Sequence, residues 1–147
     1  MLILGIDPGR TGALALLDTS DNRVTCTDMP DTTAGLADFI LALPAVEFCT
    51  IEKPFYPQVI GITNATKIAE AYGALKACLH WGGIPTREVR PSEWKAALGL
   101  STSKAASREK AGMLFPDDAG QWKRAKDDGR AEAALIAWHG YGSRGKA

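Results

Sequence analysis

The chain opens on a strand that permits few surroundings. Leu2, Ile3, Leu4, Gly5 and Ile6 follow one another without a polar side chain and end on Asp7. A run that is apolar throughout, rather than alternating, belongs to a strand covered on both faces of its sheet. Pro8-Gly9 and Thr11-Gly12 then turn the backbone at once. A charge at this point has two chemical readings. Asp7 holds a metal, or the glycines beside it cradle a phosphate.

The segments that follow define an α/β order. Residues 12–17 and 23–27 read as two more strands, and the polar turn 18–22 between them is too short for anything but an antiparallel meander. Leu36, Phe39, Ile40 and Leu43 recur at helical spacing over residues 33–43, and Pro44 stops that helix. Residues 46–52 form a fourth strand ended by Pro54, and residues 54–64 a loop. Asn64 is placed to cap a long helix over residues 65–81. Ile68, Tyr72, Leu75 and Leu79 give that helix one apolar stripe, with Ala65, Ala69 and Gly73 as a smooth adjoining face. Such a face reads as core packing ahead of dimerisation. Residues 84–89 make a fifth strand, a short helix starts at Pro91, and further helices cover residues 103–115 and 129–139. The expectation is a mixed five-stranded sheet flanked by helices, in one domain over residues 1–147.

Bulk properties narrow the function classes. No apolar run approaches the ~20 residues needed to span a bilayer, and the opening run, broken by Asp7, is no signal peptide. A cytoplasmic protein without a membrane partner is expected. Cys26, Cys49 and Cys78 are odd in number and far apart, which argues against a disulfide framework or a zinc site. Net charge is zero but unevenly spread. Residues 1–86 carry 5 Lys and Arg against 9 Asp and Glu, whereas residues 87–147 carry 12 against 8. The second part can present a basic face to a polyanion.

Three acidic stations stand out. Asp7 ends the first strand, Glu52 ends the fourth, and Asp127, Asp128 and Glu132 open the last helix. Each has an ordinary explanation: a turn aspartate, a surface pair of Glu52 with Lys53, a carboxylate complementing a helix dipole. Their coincidence on one predicted sheet edge points instead to a site. Asp128 and Glu132, four residues apart, share a helix face. Converging carboxylates repel unless cations sit between them, and hard oxygen ligands suit Mg²⁺ or Mn²⁺. Two such ions about 4 Å apart serve phosphodiester cleavage.

Taken together and in this order, "GIDPGRTGAL", "IEKPF", "RPSEWKAALGL" and "KDDGRAEAALIAWHG" resemble the RuvC-like Holliday junction resolvases, in the compact form found in phages and prophages. The resemblance spans nearly the whole chain. It implies a ribonuclease H fold and a homodimer that cuts four-way DNA junctions symmetrically, leaving 5′-phosphate and 3′-hydroxyl ends. It also implies two Mg²⁺ ions per site, replaceable by Mn²⁺, with Asp7, Glu52 and Glu132 matching the family's acids. RuvC itself usually carries Asp or His three residues before the final acid, where this chain has Gly129. Asp128 is therefore the expected fourth ligand, and Asp127 its alternative.

Lys104, Arg108 and Arg130 are candidate phosphate contacts, with Lys110, Lys123, Arg124 and Lys126 nearby. Phe55 and Tyr56, straight after Glu52, are candidates to stack on unpaired bases, unless one packs back on the core. Trp94 reads as core and Lys95 as facing the site or the DNA. The resemblance places the dimer contact on the helix over residues 65–81. Three other readings compete. A nucleotide-binding module of the actin and sugar-kinase kind starts with a similar turn but needs two such domains. A same-fold nuclease acting on other branched or single-stranded DNA, and a junction-binding module without cleavage, are the others.

Overall fold

A computed structural model of the chain describes residues 1–57 and 59–144. Its five strands are β1 (Leu2–Asp7), β2 (Ala13–Asp18), β3 (Arg23–Asp28), β4 (Phe48–Glu52) and β5 (Thr86–Val89), in the sheet order β3-β2-β1-β4-β5. The first three pair antiparallel; β4 runs parallel to β1 and β5 parallel to β4. The helices are α1 (Thr33–Leu41), α2 (Ile62–Trp81), α3 (Pro91–Ala97), α4 (Lys104–Leu114) and α5 (Asp128–Gly142). This is the expected mixed sheet, with the architecture of the ribonuclease H-like folds. Among the described residues no helix is long and apolar enough to cross a membrane.

The apolar run of β1 is covered on both faces. Ile3 lies in the core beneath α5, while Leu4 and Ile6 lie in the core beneath α1 and α2. Side chains alternate along a strand, so Gly5 and Asp7 project toward α5 with Ile3. A Cβ at Gly5 would overlap the Ala133 carbonyl and the Ala137 nitrogen. Ala133, Ala134 and Ala137 are themselves fully buried. Small residues on both sides thus let α5 lie directly on β1, which brings its first turn to the sheet edge where Asp7 stands.

Two expectations about α2 change. The helix begins at Ile62 instead of residue 65, after Gly61 at φ 74°, and no side chain caps it. Asn64 sits inside the first turn, its amide donating to the Ile60 carbonyl at 3.4 Å. The left-handed residue is the one that ends the loop, and helix follows as soon as the chain has passed it. Tyr72, Leu75 and Leu79 are buried as the stripe requires, but Ala69 and Gly73 face solvent. The smooth face is not core packing within this chain.

The segment between α4 and α5 holds two 3₁₀ turns, Pro116–Trp122 and Ala125–Asp127, that periodicity did not foresee. The first covers the open edge of β3. Asp118 accepts hydrogen bonds from the Val24 N–H at 2.8 Å and from Arg23 Nη2 at 2.7 Å. Gln121 accepts from the Cys26 N–H at 2.8 Å and donates to the Val24 carbonyl at 2.7 Å. Side chains thereby satisfy backbone groups that an edge strand would otherwise present to another chain. The three cysteines are free thiols; Cys49 is buried, and Cys26 and Cys78 are half-buried.

Candidate active site

Strand pairing brings the first two acids together. Ile6 pairs with Ile51 in the parallel β1–β4 ladder, so the next residue of each strand, Asp7 and Glu52, leaves the sheet side by side. The turn after Asp7 is tight: the Gly12 N–H donates to the Gly9 carbonyl at 3.1 Å, and Gly9 holds φ 133°. Asp7 is mostly buried, and its carboxyl is pushed well above the usual carboxylate range. Desolvation is the main cause, the charges of Glu52 and Glu132 add to it, and Lys104 and Lys95 oppose it. The Glu52 carboxyl is also raised by burial, against a hydrogen bond from Trp94.

Helix α3 serves two of these carboxylates from adjacent residues. Trp94, with no exposed surface, donates from Nε1 to Glu52 Oε2 at 2.6 Å. Lys95 Nζ donates to Glu132 Oε1 at 3.0 Å and stands 5.1 Å from the centre of the Trp94 ring. Helix α4 serves Glu132 again, and Asp128. The buried Ser107 hydroxyl donates to Glu132 Oε1 at 3.2 Å. Lys104 Nζ lies 3.9 Å from Asp128 Oδ2, and Arg108 Nε lies 3.3 Å from Asp128 Oδ1. That oxygen is sealed from solvent and accepts no hydrogen bond, so Arg108 meets it as a charge without an aligned N–H.

The structure sorts the two candidate aspartates. Asp127 accepts from Arg124 Nε and Nη2, both at 2.9 Å, and closes the second 3₁₀ turn. Its carboxyl is held below the usual range chiefly by that guanidinium. Asp128 instead takes the side of α5 that faces Lys104 and Arg108. Gly129 is required by packing, since a Cβ there would overlap the Thr11 carbonyl oxygen on the β1–β2 turn. A side-chain ligand at this position has no room.

Asp7, Glu52 and Glu132 act on one another's charge, and Lys104 reaches the field of Asp7 as well as pairing with Asp128, but the four carboxylates do not close on a common point. Among the described residues no three His, Cys, Asp or Glu side chains form a group able to hold a metal ion. Glu52, Glu132 and Asp128 are held by different partners, Asp7 has no side-chain donor among the described residues, and Lys95, Lys104 and Arg108 offset part of the charge. The donor set still fits hard divalent cations in its chemistry: hard oxygens, one of them buried without a hydrogen bond, and two carboxyls raised by burial and mutual repulsion.

The expected DNA contacts divide. Phe55 and Tyr56 are 74% and 43% exposed in the loop after β4, so neither packs back into the core. Lys104 is well exposed beside Asp128. Arg130 is turned away from the acids, its Nε and Nη2 donating to Asp28 at 2.7 Å each. The roles of Trp94 and Ser107 went unread in the sequence. Ser107 shares a helical face with Lys104 and Arg108, which was the available signal.

The fold is similar to that of the RuvC-type Holliday junction resolvases, at low sequence identity. The chain superposes on Thermus thermophilus RuvC in complex with a Holliday junction substrate with a TM-score of 0.74 and 18% identity, covering 100% of this chain and 96% of that one. A second Thermus thermophilus RuvC structure gives 0.69 and 17%, with 98% and 97% covered. The yeast mitochondrial Holliday junction resolvase Ydc2 gives 0.57 and 18%, with 93% and 76% covered. Compared by sequence, the chain matches no family model and no curated protein.

Proposed function

We propose that the protein is a metal-dependent endonuclease that recognises branched DNA and resolves four-way junctions. One observation carries this reading: Asp7 and Glu52 leave adjacent parallel strands together, buried, and coupled to Glu132 on α5. A pair of raised carboxyls at the ends of strands is costly to the fold and suits a site that gathers cations. Asp7, Glu52, Asp128 and Glu132 are the residues that would hold two ions. Mg²⁺, with Mn²⁺ as substitute, supplies a Lewis acid that lowers the pKa of water and neutralises charge on the leaving oxygen.

The chain's own residues do the rest. Trp94 and Ser107 fix the rotamers of Glu52 and Glu132 by hydrogen bonds that leave the second oxygen of each acid available. Lys95, Lys104 and Arg108 rim the acids and are placed to take the phosphates of the cut strand. Phe55 and Tyr56 offer exposed rings to bases unpaired at a junction centre. Arg130, spent on Asp28, stays outside this interface. Symmetric cuts need a two-fold enzyme, so a homodimer is part of the proposal. The exposed Ala69–Gly73 face of α2 is its contact, and the cytoplasm its compartment.

That Glu52, Glu132 and Asp128 are held by separate partners, with no three acids grouped to hold an ion among the described residues, favours one second reading, a module that binds junctions without cutting. A single assay separates the two: cleavage of a synthetic four-way junction in Mg²⁺, against linear duplex, with Asp7→Asn as control. Paired symmetric nicks with 5′-phosphate ends, absent in the variant, support the resolvase. Tight binding without cutting in Mg²⁺ or Mn²⁺ supports the module. Equal cutting of every DNA, flaps and single strands included, keeps the nuclease and removes the junction.

A further inference from the structure

A groove of about 590 Å³ opens at the same end of the sheet as the carboxylates, against α1 and α2. Its floor is apolar, with Leu36 from α1 and Ile68 and Leu75 from α2. Pro8, Gly9 and Pro54 form the lip toward the acids. Pro8 follows Asp7 directly and Pro54 comes two residues after Glu52, so the turns that end both acidic strands also bound the groove. The volume falls within the roughly 300–1,000 Å³ of small-molecule sites.

Two cations on this groove are unspent. Arg10 and Lys67 both line it and are exposed, and neither forms an ion pair among the described residues. The basic residues beside the acids are all paired by contrast, Lys95 with Glu132 and both Lys104 and Arg108 with Asp128. Asp31 and Thr33 add a carboxylate and a hydroxyl to the same lining. An apolar slot with polar groups at its edge and two free cations at its mouth fits one chemistry: a flat, weakly polar ring tethered between anions.

We infer that this groove takes an unpaired nucleobase of the DNA strand that crosses the carboxylates, with Arg10 and Lys67 on the phosphates that flank it. The inference rests on the nuclease reading. Unstacking a base is least costly where pairing is already broken, as at a junction centre. Ile68, Ala71 and Met29 receive the faces of the base, while Asp31 and Thr33 meet its hydrogen-bonding edge. The groove thereby sets the sequence at which the strand is cut.

The test uses four-way junctions carrying 2-aminopurine at successive positions around the crossover, bound to the whole chain in Ca²⁺ so that binding is read without cutting. One position is expected to brighten several-fold, because the probe leaves the base stack for an aliphatic slot. Ala71→Phe fills the groove from an exposed position of α2 and is expected to abolish that signal. In Mg²⁺ the same variant is expected to shrink the ratio of cutting rates between preferred and disfavoured sequences toward one. Arg10→Ala with Lys67→Ala is expected to lower the salt slope of junction binding by about two.

No brightening at any position overturns the inference, as does brightening or sequence discrimination that survives Ala71→Phe. An unchanged salt slope in the double variant overturns it as well. A change of oligomeric state in Ala71→Phe without DNA assigns the groove to a second copy of the chain and also overturns it. Wild-type protein that brightens the probe but cuts no DNA in Mg²⁺ leaves the groove standing and removes the nuclease reading instead.

Discussion

Trp94 Nε1 donates a 2.6 Å hydrogen bond to Glu52 Oε2 from a position where the indole has no exposed surface. One residue therefore belongs to both core and site: its ring packs beneath α5 and its N–H holds an acid in place. Trp94→Phe keeps most of the apolar volume and removes the donor. Loss of a partner that orients a metal-binding acid typically costs 10–100-fold. We expect junction cleavage to fall by about that factor, with the fold intact by circular dichroism. A variant that cuts like wild type would show that Glu52 needs no orienting partner.

Asp7 makes the stability of the fold depend on pH in a definite direction. Its folded-state carboxyl is raised, mainly by desolvation, so the native protein holds that proton more tightly than the unfolded chain. The contribution is favourable below the unfolded pKa and is lost as pH rises through the folded one. Asp7→Asn cannot ionise and escapes the loss. In EDTA at pH 7 the variant is expected to melt above wild type, by about 2–4 °C for each kcal/mol relieved. The gap should close near pH 4. Added Mg²⁺ should raise the melting temperature of wild type more than that of the variant. A variant that melts at or below wild type in EDTA at pH 7 would contradict the desolvation account.

The central sheet was legible because its cause is local. An unbroken apolar run, short polar turns and a proline after Glu52 each dictate one element. Asp7 and Glu52 were legible for the same reason, since both are the last residues of recognisable strands. What lay beyond reach depends on partners distant in sequence. Nothing near Trp94 tells that its N–H will meet an acid 42 positions earlier. Arg130 shares the opening of α5 with two candidate ligands, yet its guanidinium turns to Asp28, 102 positions away. Asp127 and Asp128 are adjacent and chemically identical. Only the turn closed by Arg124 separates the capping residue from the candidate ligand.

The Asp118 clamp on the sheet edge is testable as stability alone. Burial works against its charge, but hydrogen bonds from Arg23 and the Val24 N–H prevail and hold the carboxyl below its usual range. Asp118→Ala removes a carboxylate that is 7% exposed and leaves the Arg23 guanidinium and the Val24 N–H without their acceptor. Hydrogen bonds to charged groups contribute about 1.5–3 kcal/mol, so a melting temperature lower by roughly 3–12 °C is expected at pH 7. Because the folded pKa is depressed, this stabilisation is lost as pH falls through it, and wild type and variant should converge in acid. Exposure of the β3 edge should also make the variant more prone to aggregate on heating. Equal melting at pH 7 would show that the 3₁₀ turn is held by its apolar contacts alone.

The proposed dimer rests on a face of α2 that is smooth, exposed and flanked by large apolar groups. Ile62 and Trp81, at the two ends of the helix, are 88% and 84% exposed. Around Gly73 nothing lies within 4 Å of where a Cβ would stand. An arginine there has room in the single chain and replaces glycine, which after proline is the residue least favourable to a helix interior. Two copies meeting across this face have no such room, and each would bury the other's charge without a partner. Gly73→Arg is thus expected to sediment as a monomer at concentrations where wild type is a dimer, with an unchanged or higher melting temperature per chain. Its junction products should change from paired to single nicks, because each monomer reaches one strand. A Gly73→Arg protein that remains a dimer and cuts in pairs would move the interface off α2.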